Sequence, residues 1–182
     1  QSLLKSNDYN LVYKKAIEYY NKGDYQRAMN LLDGVRSVFV GQAKAQNIAY
    51  YRAFCSYNMK DYQIASDLFK QFIQTYPESS FAEECLYMMG FCDYKASPKP
   101  RLDQQVTEKA IREFQLYLSR YPYSMRKDKV NTYMDEMRDK LSYKAYLSAK
   151  NYYLREHYKA AVISLQNCLK DYPGSKYREE IM

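Results

Sequence analysis

Residues 61–84, DYQIASDLFKQFIQTYPESSFAEE, and residues 157–180, HYKAAVISLQNCLKDYPGSKYREE, align without a gap. Both place Tyr second, Ala fifth, Tyr-Pro at the same later step and Glu-Glu at the end. A chain that repeats itself in this way is built of similar supersecondary units, each of which buries its apolar face on its neighbour. That one feature excludes most folds organised around a single central core.

The pattern extends to further copies. Ala65, Phe69, Phe72 and Pro77 match Ala161, Leu165, Cys168 and Pro173, and again Ala110, Phe114, Tyr117 and Pro122. A weaker first copy has Ala28, Leu32 and Val35, with Val40 in the place of the proline. Upstream of these anchors lie Ala16, Ala53, Gly90 and Ala149, so each unit reads as two helices. Small residues let the two helices approach, the larger residue four positions on fills the gap to the next unit, and proline ends the second helix because it cannot continue the hydrogen-bond ladder. With a period of about 34 residues, this is the tetratricopeptide pattern. It predicts an all-α, right-handed superhelical solenoid of four repeats, near 9–42, 43–79, 80–123 and 124–175, with a fifth starting from 176 and the whole of 1–182 as one domain. Five glycines, five prolines and the lack of any β signal agree with that class.

The anchor alanines are spaced more widely than the period from one unit to the next. In the third unit the cause is an insertion, ASPKPRLDQ at Ala96 to Gln104, which has two prolines and no helical periodicity and therefore reads as a loop. Loops inserted in solenoids project from one face and carry contacts. The connector 123–155 is long enough for an extended or additional helix. Asp24 and Asp61 supply turn residues ahead of second helices, and Ser79, Ser80 and Ser175 follow prolines as N-cap candidates.

Tyrosine is the compositional anomaly, at 23 residues. Three residues before each first-helix anchor stand Tyr13, Tyr50, Tyr87 and Tyr146; four after stand Tyr20, Tyr57, Tyr94 and Tyr153. A seven-residue step is about two helical turns, so each pair shares a face and stacking lines them into two ladders. In tetratricopeptide folds these positions look into the concave groove. Tyrosines there suit extended peptides with aromatic residues, or else pack on the neighbouring first helix and close the core. Asn10, Asn21, Asn47 and Asn58 flank the first two units, but the matching later positions are Glu84, Lys95, Tyr143 and Leu154, so the lysine–asparagine carboxylate clamp of chaperone-binding tetratricopeptide domains is not reproduced.

Net charge is +7, and between Lys95 and Lys150 Lys and Arg outnumber Asp and Glu by 13 to 7. Such a basic region faces acidic protein or anionic headgroups, or is simply a solvated lysine-rich surface; no Gly-rich or basic-aromatic signature points to nucleic acid. Cys55, Cys85, Cys92 and Cys168 form no CxxC pair, and a single His157 cannot complete a tetrahedral site with them. Buried free thiols are expected, since Cys85 and Cys92 would stand about 10 Å apart along one helix, at about 1.5 Å per residue. No P-loop, GxSxG, HExxH or paired-carboxylate arrangement occurs, which points to a non-enzyme without metal or cofactor. No run of apolar residues is long enough to span a membrane.

Against this background, RLDQQVTEKAIREFQLYLSRYPYS at 101–124 resembles the Asp-Gln loop and following helix of the outer-membrane assembly lipoprotein BamD family, also called ComL or YfiO. Residues 140–180, with Tyr152-Tyr153, Ala160-Ala161-Val162 and Tyr172-Pro173, are similar to that family's fourth repeat, and the opening LLKSNDYNLVYKKAIEYYNKGDYQRA resembles the first repeat of members from the Bacteroidetes. The likeness covers the whole chain. It implies a periplasmic protein, lipid-anchored through an N-terminal cysteine to the inner leaflet of the outer membrane, working as a scaffold in the complex that folds β-barrel proteins. It further implies a groove for unfolded barrel substrates lined by Tyr13, Tyr20, Tyr50, Tyr57, Tyr87 and Tyr94, and docking of the barrel-forming subunit through the fourth unit, with Asp103, Gln104, Tyr146 and Tyr153 as candidates.

Three departures stand out. No acceptor cysteine precedes Leu3, as in a mature or trimmed chain; Glu78, Ser79 and Ser80 replace the family's His-Pro; and Met182 falls where a fifth repeat should begin, so part of the docking surface is expected beyond it. The rival readings are a periplasmic adaptor for peptidoglycan or cell-division proteins, a cytoplasmic adaptor, and a nutrient-binding outer-membrane lipoprotein.

Overall fold

The computed structural model describes residues 8–174 and Tyr177. The described residues contain eight α-helices and no strand: α1 Tyr9–Asn21, α2 Tyr25–Val35, α3 Ala43–Asn58, α4 Tyr62–Thr75, α5 Ala82–Ala96, α6 Gln105–Arg120, α7 Lys127–Leu154 and α8 Tyr158–Asp171. Helices pack in consecutive pairs, as in a tetratricopeptide-type helical array. The chain separates into two compact units, Gln1–Lys95 and Ala96–Met182, so the division falls at the end of α5, between the two helices expected of the third repeat.

Each second helix stops where the sequence pattern places its proline. α4 ends two residues before Pro77, α6 two before Pro122 and α8 two before Pro173. The first repeat lacks the proline; α2 ends at Val35, and a string of turns leads past an exposed Val40 to α3. All the small anchors are buried: Ala16, Ala28, Ala53, Ala65, Gly90, Ala110, Ala149 and Ala161. Their larger partners Leu32, Phe69, Phe72, Phe114 and Tyr117 are buried too, whereas Leu165 of the fourth repeat is only half-buried. In the first unit Val12, Ala16, Ala28, Leu32, Val35, Ile48 and Cys55 form one continuous core cluster.

Three of the repeats turn between helices by the same device. Asp24 N–H donates to the Tyr19 carbonyl and Gly23 N–H to that of Tyr20; Asp61 and Lys60 repeat this with Ser56 and Tyr57, and His157 and Glu156 with Tyr152 and Tyr153. The pattern is a Schellman motif, which requires a left-handed residue after the helix. Gly23 holds φ +80 at no steric cost, while Lys60 and Glu156 are forced to φ 67 and 61 against their side chains. Asp24 then caps α2 by accepting from Arg27 N–H at 3.2 Å, a cap that His157 does not supply to α8. Within the connector 123–155, Lys127–Leu154 form one continuous helix, the 28-residue α7.

Candidate functional site

The first-unit tyrosines lie on α1, α3 and α5 and are held by aromatic neighbours. Tyr20 meets Tyr25 across the turn, with ring centroids 5.5 Å apart, and Tyr51 of the next repeat at 4.9 Å, both edge-on. Tyr57 repeats the arrangement with Tyr62 at 5.8 Å and Phe91 of the next repeat at 6.2 Å. Tyr50 lies among Phe81 at 4.5 Å, Phe54 at 4.6 Å and Tyr51 at 5.5 Å. Tyr13 packs edge-on to Phe39, and the Lys44 ammonium sits over both rings. Phe91 stacks between Tyr87 and Tyr94. Five of the six rings are half-buried, and Tyr87 is buried at 7% exposure, so it contributes to the floor of this surface rather than to its lining.

Three of these hydroxyls face polar side chains of the following repeat. Tyr50 donates to Glu84 Oε2 at 2.9 Å; Tyr13 shares a hydrogen bond with Asn47, and Tyr20 one with Asn58. Burial pushes the Tyr20 phenol up to about 12 against the opposing Asn58 bond. Burial, and then the Glu84 hydrogen bond, raise Tyr50 still further, and burial raises Tyr13. Asn47 and Asn58, which flank the ladder in sequence, therefore serve as hydroxyl partners of the preceding repeat's tyrosines. The aromatic neighbours Tyr51, Phe54, Phe81 and Phe91 are absent from the sequence-based assignment. Tyr50–Phe54 and Tyr87–Phe91 are i, i+4 pairs, and that spacing is the signal that could have found them.

In the second unit the candidates separate. Tyr146 is half-buried and stacks on Tyr177 at 5.4 Å with 9° between planes, beneath the Lys150 ammonium. Tyr153 is 61% exposed and touches Tyr158 edge-on at 5.7 Å. Asp103 is exposed in the insertion loop, which runs from the end of α5 to the start of α6 as expected. Gln104 corrects the expectation of a docking side chain: it is 2% exposed, with Nε2 donating to the carbonyls of Lys99 at 2.8 Å and Leu102 at 3.1 Å while Oε1 accepts from Thr107 at 2.7 Å. It latches the loop from within. Lys140 Nζ, donating to Ser97 Oγ at 2.6 Å, and Lys144 Nζ, donating to the Leu102 carbonyl at 2.9 Å, tie the same loop to α7. Ser175, an N-cap candidate, and the expected start of a fifth repeat at 176 lie outside the described residues, apart from Tyr177.

The four cysteines are free and buried, and burial raises the Cys55 and Cys85 thiols to about 12. Among the described residues no group of His, Cys, Asp and Glu could hold a metal ion, and no helix is long and apolar enough to cross a membrane. The side chains gathered here offer apolar faces, fixed hydroxyls and charge.

A family model described as YfiO, outer membrane lipoprotein, matches residues 5–182. The chain belongs to the YfiO family. The match covers both compact units, so the loop and the fourth repeat fall within the family as fully as the first-unit ladder does. Membership makes this chain an outer membrane lipoprotein at the level of the family. No curated protein matches it.

Proposed function

We propose that this YfiO-family chain is a non-catalytic scaffold of outer-membrane β-barrel assembly, lipid-anchored at the periplasmic face, whose first unit holds unfolded barrel segments. The observation that carries the reading is the fixed, half-buried aromatic surface formed by Tyr13, Tyr20, Tyr50, Tyr57 and Tyr94 with Phe54 and Phe91. Extended barrel segments alternate apolar and polar side chains, and aromatic rings held by their neighbours offer flat contact area at little entropic cost on binding. The barrel-forming subunit docks on the second unit through Asp103, exposed on a loop latched from within, and through Tyr146 and Tyr153 of α7.

The test is binding of a labelled, unfolded barrel segment to the purified chain, read by anisotropy. Tyr57→Ala should weaken binding by about fivefold and the double variant Tyr50→Ala/Tyr57→Ala by more than about tenfold, each ring supplying on the order of 1 kcal/mol. Tyr50→Phe, which keeps the ring and removes the Glu84 bond, should bind as the parent does. Unchanged affinity in folded alanine variants returns the ladder to a packing role.

A further inference from the structure

On α7 of the second unit, Lys144, Leu147, Ser148 and Asn151 follow one another at helical spacing along one face, and with Arg101 of the insertion loop they line a cavity of 280 Å³. Two cations from separate elements meet there. Lys144 Nζ donates to the Leu102 carbonyl, which holds the loop against α7 and fixes the ammonium at the cavity edge. Elsewhere in the chain Lys15, Arg27, Arg52 and Arg138 are matched to carboxylates at 2.6–3.3 Å. Among the described residues neither Arg101 nor Lys144 has such a partner, and Asp103, the carboxylate nearest in sequence to Arg101, does not line the cavity.

The donor set suits a tetrahedral oxyanion. A planar guanidinium binds two oxygens at once, an ammonium acts as a point charge, and the exposed Asn151 amide adds N–H donors. Two exposed leucines stand close by in the chain: Leu102, next to Arg101, is 58% exposed, and Leu154, three residues beyond Asn151 on α7, is 66% exposed. Cations gathered at one cavity with exposed leucines near them suit a surface that rests on a bilayer, with charge among the headgroups and side chains reaching the acyl boundary. The family's place at the outer membrane supplies the neighbouring lipid, and the basic excess between Lys95 and Lys150 supplies long-range attraction.

We propose that the Arg101–Lys144 cavity binds the phosphate group of an anionic glycerophospholipid, so that this face of the second unit lies on the membrane surface. The inference does not depend on barrel substrates binding the tyrosine ladder.

The experiment is flotation of the purified chain with phosphatidylcholine vesicles prepared with and without phosphatidylglycerol. The parent floats with the anionic vesicles alone and is released by salt. Arg101→Gln/Lys144→Gln lowers the partition coefficient by about tenfold or more, because each basic side chain near an anionic surface is worth about 1 kcal/mol. Since Lys144 also ties the loop, Asn151→Asp provides an independent variant: it keeps both cations, places a negative charge in the cavity and should reduce flotation as well, with circular dichroism confirming retained helicity. Variants that float like the parent overturn the proposal. Inorganic phosphate shifting the amide resonances of 101, 144 and 151 without any vesicle binding assigns the site to a soluble phosphate ester and overturns the lipid. Binding of an acidic peptide in place of vesicles makes the cavity a protein contact and overturns it as well.

Discussion

The turn of the first two repeats and the turn of the fourth carry the same tyrosine pair in different settings. Tyr20–Tyr25, Tyr57–Tyr62 and Tyr153–Tyr158 each meet across a Schellman turn at nearly the same centroid separation. In the first unit a ring from the next repeat, Tyr51 or Phe91, closes over the pair and leaves it half-buried. In the fourth repeat, Tyr153 and Tyr158 stay 61% and 56% exposed. The pair is thus made locally, by the turn, whereas its burial comes from the following helix. Repetition in sequence fixes the first and leaves the second to the neighbour.

Enlarging the small anchors gives the largest effect that separates the two settings. Ala65→Leu forces extra methylenes into a repeat closed on both sides, and Ala161→Leu does so in a repeat whose partner Leu165 is only half-buried. Costs of about 1–3 kcal/mol are expected, with Ala65→Leu at the upper end. Urea denaturation measures both; equal costs would break the link between open aromatic pairs and looser packing.

The turns themselves provide a smaller effect that should be indifferent to setting. Lys60→Gly and Glu156→Gly relieve left-handed strain and should each stabilise by about 1 kcal/mol, while Gly23→Ala should cost a similar amount. Melting curves in which Lys60→Gly and Glu156→Gly differ markedly would show that burial reaches into the turn after all.

The last effect is in alkaline solution. The Tyr20 phenol sits at about 12 in the folded chain against its ordinary 10.0, so between those values the folded state holds a proton that the unfolded state has lost. Its contribution is fully present below the unfolded value and disappears as pH rises through the folded one. Stability should therefore fall across that window, and Tyr20→Phe should flatten the fall. An unchanged slope would mean that the ring is not enclosed by Tyr51 in solution.

Much of this organisation was legible in the sequence because it follows from local rules. The small anchors, the stops before Pro77, Pro122 and Pro173 and the insertion loop appear where spacing put them, and of the two options for 123–155, an extended or an additional helix, the chain takes the extended one over Lys127–Leu154. Less legible was whatever depends on a second element. The burial of Gln104 follows from the path of the loop around it, and a polar residue amid Pro, Lys and Arg gives no hint of it. The pairing of Tyr13 with Asn47 and of Tyr50 with Glu84 spans two repeats. Its trace was nevertheless present, since Asn10, Asn47 and Glu84 each stand three residues before a ladder tyrosine.

The inward-facing Gln104 has one more consequence. Because its amide satisfies the carbonyls of Lys99 and Leu102 from inside, the loop's path is held by a side chain that is itself buried. Arg101, Leu102 and Asp103 can then be exchanged for other residues without altering the frame that presents them. Selection, or a protein engineer, can rewrite what this edge of the second unit recognises while leaving its architecture alone.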